Sequence, residues 1–367
     1  MRRVTRVRAV RPFIVVLVIA LVSALAVAAV GSGTRTGAIE SVDSARLDRP
    51  GHGPAVGYRI TKLQPRKLQQ AAISWRGGPI VTSTGETVNV LVSDAFAPDA
   101  VTPESWAEFL AKLVHGSELS SLTTYIAPLA EITLLCGNGA LGCYRQNRSV
   151  ALGESLPDGT TPEEVVRHEY GHHIALYRAN PPWRAIDWGP KNWASAADIC
   201  ARVARREAFP GNEDEHYAQN PGEAWAETYR LMDERKAGIT TATWQIIAPS
   251  LYPTEAALVA AEKDVVQPWT AGTQSVFRKS VAKNKLWWIP LTTPLDGSIA
   301  VTARLPRGGE HRVALVAADR KTVLKRGAAA GARVRRISST VCGQRSVFVR
   351  VTQRGKPGLV TVVAATP

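Results

Sequence analysis

The chain has 367 residues, of which 45% are hydrophobic and 21% charged, and it carries a formal net charge of +14. That length favours two domains, and that composition excludes a disordered, collagen-like or otherwise fibrous protein. The charge is uneven: residues 278–367 hold 18 Lys and Arg against 3 Asp and Glu, whereas 31–277 carry a net of −6.

Arg2, Arg3, Arg6, Arg8 and Arg11 precede an uncharged apolar run over 13–30 that ends in small residues such as Ala26 and Ala28. A basic start, an apolar stretch and a small-residue end describe a secretory signal peptide, while 18 residues also reach the lower limit for crossing a bilayer. Residues 1–30 are therefore a signal peptide or an N-terminal membrane anchor. Either way the rest of the chain is expected to be secreted, or membrane-anchored with its bulk outside the cytoplasm.

Residues 31–57 are rich in Gly, Ser, Arg and Pro, and 31–84 reads as a linker or pro-segment, with a short helix over 64–75. The alternating "ETVNVLVSD" from 86 predicts a strand. Over 103–116, Trp106, Phe109, Leu110 and Leu113 recur at helical spacing before Gly116. "AEITLLC" (130–136) and "RSVALG" (148–153) read as further strands, the second as a sheet edge. Cys136 and Cys143 bracket a Gly-rich loop and pair naturally, leaving Cys200 with Cys342, although four cysteines allow three connectivities and free thiols remain the alternative.

The chemistry concentrates in "TTPEEVVRHEYGHHIALYR" (160–178). Thr161 is a good N-cap, Pro162 suits the first helical position, and Glu164 completes a capping box. His168 and His172 then lie at i and i+4, about 40° apart around the helix, so both imidazoles can reach one zinc ion. Glu169 adjoins them and can act as general base, the H-E-x-x-H pattern. His173 points about 100° away from His172 and is read as a packing or supporting residue. Gly171 is expected to let another element pack closely beneath the site.

Two histidines need a further protein ligand. The longer pattern with a third histidine fails, because Ala175 and Arg178 stand where its Gly and His would be. "NPGEAWAETYRLMDER" (220–235) supplies Glu223 and Glu227 at i and i+4 on a helix capped by Asn220. One carboxylate can bind the metal while the other supports a ligand imidazole.

"HEYGH" followed some fifty residues later by "GEAWAETYRLM" resembles the catalytic core of the gluzincin metalloproteases, most locally the anthrax lethal factor and Pro-Pro endopeptidase type. The resemblance covers roughly 85–240. It implies His168, His172 and Glu223 as ligands of one zinc ion, Glu169 as base and Glu227 behind the ligands. It also implies a tyrosine near the ligand glutamate that stabilises the oxyanion, for which Tyr217 or His216 is placed. An extended substrate is expected to add to the strand at 148–153.

Short strands at regular spacing from about 285 onward predict a small sandwich. "TTPLDGSIAVTARLP" loosely resembles the pre-peptidase C-terminal modules of secreted peptidases. Trp287 and Trp288 are read as strand-core residues, and the aromatic loop 180–193 as packing. The expected fold is α+β: a zincin-like metallopeptidase domain over 85–270, made of a small sheet, an active-site helix and a glutamate helix, followed by a β-sandwich over 280–367. The expected function is an exported zinc endopeptidase acting on a protein or peptide substrate. The alternative is an envelope-binding protein that uses the basic sandwich on an anionic surface and keeps the zincin fold as a scaffold. Nucleic acid is not an expected partner.

Overall fold

The computed structural model describes residues 73–240, 246–308, 311–329 and 333–367. The expected signal or anchor segment, and most of the linker with residues 64–72 of its expected helix, lie outside those residues; Trp75, the end of that expected helix, opens a strand instead. The architecture is mixed α+β with a β-rich C-terminal region. Among the described residues, no helix is long and apolar enough to cross a membrane.

The first sheet has the order β1-β2-β3-β5-β4, formed by β1 (Trp75–Val81), β2 (Thr87–Ser93), β3 (Thr123–Ala127), β4 (Gly142–Arg145) and β5 (Arg148–Leu152). β2, β3 and β5 run parallel, and both outer strands are antiparallel to their neighbours. The sheet therefore begins at Trp75, ten residues before the expected start, because "WRGGPIV" carries two glycines that hide its alternation. β5 is interior and β4 is the edge, which corrects the reading of 148–153 as the edge that receives a substrate.

Helix α1 (Pro103–Lys112) is capped by Thr102 and buries Trp106 and Leu110 against this sheet. The segment "AEITLLC" is a helix, α2 (Leu129–Cys136), rather than the expected strand. Its burial explains why: Ile132 and Cys136, one turn apart, face inward while Leu134 is 63% exposed. A strand would have buried all three. Short apolar runs do not distinguish helix from strand by periodicity alone.

Next come α3 (Pro162–Leu176), the short strands β6 (Ala179–Asn180) and β7 (Trp183–Arg184), and three short helices, α4 (Ala185–Trp188), α5 (Lys191–Ala196) and α6 (Ile199–Ala204). Two longer helices follow, α7 (Pro221–Lys236) and α8 (Glu255–Val266). Trp183, Trp188 and Trp193 are buried, the first two stacked with centroids 4.6 Å apart, so the aromatic loop packs as expected. One hydrophobic core runs from Val88 to Val265 and includes Cys342.

A second core, from Val281 to Ala364, fills two further sheets. One has the order β13-β14-β10-β16-β8 and the other β12-β11-β15-β9. Their strands are β8 (Thr273–Val281), β9 (Leu286–Thr292), β10 (Gly297–Arg304), β11 (His311–Ala317), β12 (Val323–Arg326), β13 (Ala328–Ala329), β14 (Val334–Val341), β15 (Ser346–Gln353) and β16 (Gly358–Thr366). β8 pairs with β16 along its whole length, upstream of the expected start at 280. Its mostly exposed polar residues mask the period of two. Trp287 and Trp288 are half-buried, not core: Trp287 packs against the second core, and Trp288 faces outward beneath Arg320 and Arg350.

The cysteines pair as expected, Cys136 with Cys143 and Cys200 with Cys342. The second bridge ties α6 to the end of β14, beside the ion pair of Arg345 with Asp296 and the bond from Asp296 N to Ser195 Oγ. Disulfides persist in oxidising compartments, so the two bridges mark an extracytoplasmic chain.

Candidate metal centre

Helix α3 starts where the sequence demands: Thr161 Oγ1 accepts from Glu164 N, and Glu164 Oε2 accepts from Thr161 N. Helix α7 starts with Asn220 Oδ1 accepting from Gly222 N. The two helices cross at Gly171, where an added Cβ would lie 2.8 Å from Ala226 Cα. Such separations are never seen for real side chains, so glycine permits the crossing. Trp225 Nε1 donates to Gly171 O at 2.7 Å and locks the contact. Arg167 Nε donates to Asp233 Oδ2 at 2.8 Å, while Asp233 Oδ1 accepts from Val114 N, pinning α7 to the end of α1.

This crossing brings His168, His172 and Glu223 together. One ligand atom from each lies within 4.8 Å of the others, so the three could hold a metal ion. Glu223 Oε2 lies 3.2 Å from His168 Nε2 and 3.4 Å from His172 Nε2. On the far side of His168, Nδ1 donates to Glu227 Oε2 at 3.3 Å, which leaves Nε2 facing Glu223 and His172. Arg230 holds Glu227 in turn through Nε at 3.0 Å and Nη2 at 2.5 Å, and reaches Glu234 at 2.7 Å.

The electrostatics follow from this packing. Burial works against a charged His168, but Glu223 and Glu227 outweigh it and raise its pKa to about 10. Burial would raise Glu227, yet His168 and Arg230 bring it down to about 2. Glu169 goes the other way: burial raises it to about 7, against the lowering pull of His172 and His168. Its Oε2 is buried and has no hydrogen-bond partner among the described residues. A buried carboxylate with one uncommitted oxygen, tuned near neutrality, suits a proton acceptor.

Tyr217 and His216, both candidates for the oxyanion, are separated by the structure. Tyr217 lines the cleft and its hydroxyl donates to Glu223 Oε2 at 2.7 Å. Burial, then Glu223, pushes its pKa well above the ordinary value, so it keeps its proton. His216 instead stacks on Phe209 with centroids 3.8 Å apart and is absent from the cleft lining, so it is not part of the constellation. The short turn over Tyr217–Gln219 points consecutive side chains in different directions. His173 also stands apart, as expected: its Nε2 donates to Glu118 O at 2.8 Å and its Nδ1 accepts from the Tyr144 hydroxyl at 3.0 Å.

His168, His172 and Glu223 open on a cleft of about 740 Å³ rimmed by the Cys136–Cys143 loop. Gly142, on edge strand β4, faces Glu169 closely: a Cβ there would sit 2.6 Å from Glu169 Oε1 and 2.9 Å from Val150 O. Sequence reasoning missed Gly142 and Glu213. Glu213 lines the cleft, accepts from Asn220 Nδ2 at 2.7 Å, and is raised to about 7 by burial and by Glu223. "FPGNEDEHYAQNPG" contains three adjacent acids, and nothing in their spacing marks which one turns inward.

No family model matches the chain, and no curated protein matches it. Among solved structures, the pre-peptidase C-terminal domain of a collagenase from Bacillus anthracis is 12% identical, with 24% of this chain and 88% of that domain covered at a TM-score of 0.21. PliG from Aeromonas hydrophila, a periplasmic inhibitor of g-type lysozyme, is 11% identical, with 27% and 91% covered at the same TM-score. Neither likeness is large enough to bear on fold or function.

Proposed function

We propose that the chain is a zinc-dependent endopeptidase with a zincin-like catalytic domain, acting outside the cytoplasm on protein or peptide substrates. The observation that carries this reading is the convergence of His168, His172 and Glu223 beside Glu169, whose buried Oε2 lacks a partner among the described residues. Two imidazoles and a carboxylate are a donor set suited to zinc, with room for one further ligand. When bound, the ion would polarise a peptide carbonyl and ease ionisation of water.

The remaining steps belong to the protein's own side chains. Glu169 takes the proton from the attacking water and passes it to the leaving amine, which its near-neutral pKa suits. Tyr217, still protonated, turns its hydroxyl from Glu223 toward the developing oxyanion. Glu227 fixes the His168 tautomer, and Arg230 holds Glu227. The extended substrate pairs with the exposed edge of β4, where Gly142 leaves its backbone clear next to the base.

Hydrolysis of an unstructured protein or a mixed peptide library tests the reading. The zinc-loaded wild type should cleave internal peptide bonds, a chelator should abolish cleavage, and Glu169→Gln should keep the metal while losing nearly all turnover. Substantial turnover by Glu169→Gln would sink the assignment of the base. Failure of the loaded wild type to cleave any peptide would sink the function.

A further inference from the structure

The two outer faces of the C-terminal sandwich use their arginines differently. On the four-stranded sheet two guanidiniums sit over rings: Arg320 lies 4.4 Å from the Phe348 centroid and Arg350 lies 5.7 Å from that of Trp288. Among the described residues, no arginine of the five-stranded sheet sits over a ring. Strand pairing there sets Arg304, Thr361 and Arg278 in one row across β10, β16 and β8. The adjacent row runs Arg336, Thr302, Val363 and Val276. The alternate residues Val301, Ala303, Val360 and Val362 are buried in the core, so both rows face outward.

Strands lie about 4.8 Å apart, which separates Arg278 from Arg304 by roughly 10 Å with the Thr361 hydroxyl between them. Among the described residues, none of the three arginines has an ion-pair partner. Val276 is 54% exposed and Leu359, beside this row on β16, is 58% exposed. A shallow depression over the face is lined by Val276, Arg278, Thr302, Arg304, Leu359, Thr361 and Val363. Uncommitted guanidiniums recognise oxyanions, and hydroxyls add hydrogen bonds. Exposed aliphatic side chains beside them favour a partner that is partly apolar.

We propose that this face docks on an anionic phospholipid surface. Headgroup phosphates would sit among Arg278, Arg304 and Arg336, with Leu359 and Val276 entering the boundary between headgroups and acyl chains. A glycan fits less well, because none of the residues lining the depression is aromatic, acidic or an amide. A purely ionic polymer leaves the exposed Val and Leu without a role. Net charge agrees, since 278–367 carries +15 outside the cytoplasm on a body of opposite sign. Docking of this face is independent of the peptidase reading.

Co-sedimentation with vesicles tests it, using residues 39–367, which omit the apolar N-terminal run and keep both hydrophobic cores. Neutral phosphatidylcholine vesicles are compared with vesicles containing phosphatidylglycerol. Each basic residue near an anionic surface contributes about fivefold in affinity, so Arg278→Ala/Arg304→Ala should weaken binding about 25-fold. Leu359→Ser should weaken it further. The control Arg312→Ala/Arg326→Ala removes the same charge from the four-stranded sheet and should retain most of the affinity; thermal melts check that every variant is folded. Equal losses in both double variants would reduce the effect to net charge and overturn the site. Absence of anionic-vesicle binding, or binding to a soluble phosphate polymer with none to vesicles, would overturn the lipid assignment.

Discussion

Replacing Gly171 with alanine is the sharpest way to ask whether the α3–α7 crossing sets the metal geometry. The new Cβ would meet Ala226 Cα at 2.8 Å and Ala226 O at 3.1 Å, both backbone atoms that cannot rotate away. Ordinary van der Waals contact begins at 3.4 Å, so α7 must retreat by about 0.6 Å. Metal ligands tolerate deviations of about 0.2 Å, so Glu223 would be carried out of range of His168 and His172. Alanine favours the helix by about 1 kcal/mol, whereas overpacking costs about 1–3 kcal/mol, so the net loss of stability should be at most about 2 kcal/mol. Affinity should fall more visibly, by about 10- to 100-fold, as it does when the supports of ligands are disturbed. Zinc titration against a competing chelator reads the affinity, and urea unfolding of the metal-free protein reads the stability. A folded Gly171→Ala that binds zinc as tightly as the wild type would refute the reasoning.

Three further outcomes follow from the same geometry. Tyr217→Phe should lower kcat by about 10²- to 10³-fold while zinc content and KM stay near wild type, as for loss of an oxyanion donor; a change confined to KM would contradict it. Glu169 must be ionised to accept a proton, and its pKa is raised to about 7. Protonation therefore removes activity as pH falls, with a midpoint no higher than about 7, since a nearby cation can only lower it; a profile of kcat/KM that climbs toward acid would contradict the role. The Cys200–Cys342 bridge closes 142 residues of chain and ties α6 to the end of β14, so Cys200→Ala/Cys342→Ala should lose about 2–5 kcal/mol in urea melts. Unchanged unfolding would show that the bridge adds nothing to the junction.

Much of the site could be read from the sequence because helix signals are local. A cap, a proline, a capping glutamate and the i, i+4 pairs of His168 with His172 and Glu223 with Glu227 all lie within a few residues of one another. Tertiary packing decided the rest. α2 was read as a strand because its apolar run is too short to reveal its period. β5 was read as an edge because strand order depends on β4, four residues that carry little pattern of their own. Tyr217 and His216 are neighbours in the chain, and only the fold sends one into the cleft and the other onto Phe209. Gly142 and Glu213 acquire their place from elements distant in sequence.

The central claim is that His168, His172 and Glu223 hold one zinc ion. Metal content of the purified protein, wild type beside Glu223→Ala, tests it most directly. One equivalent of zinc in the wild type, lost or sharply weakened in the variant, is the predicted result. Zinc retained in full by Glu223→Ala, or absent from a folded wild type supplied with zinc, would contradict it.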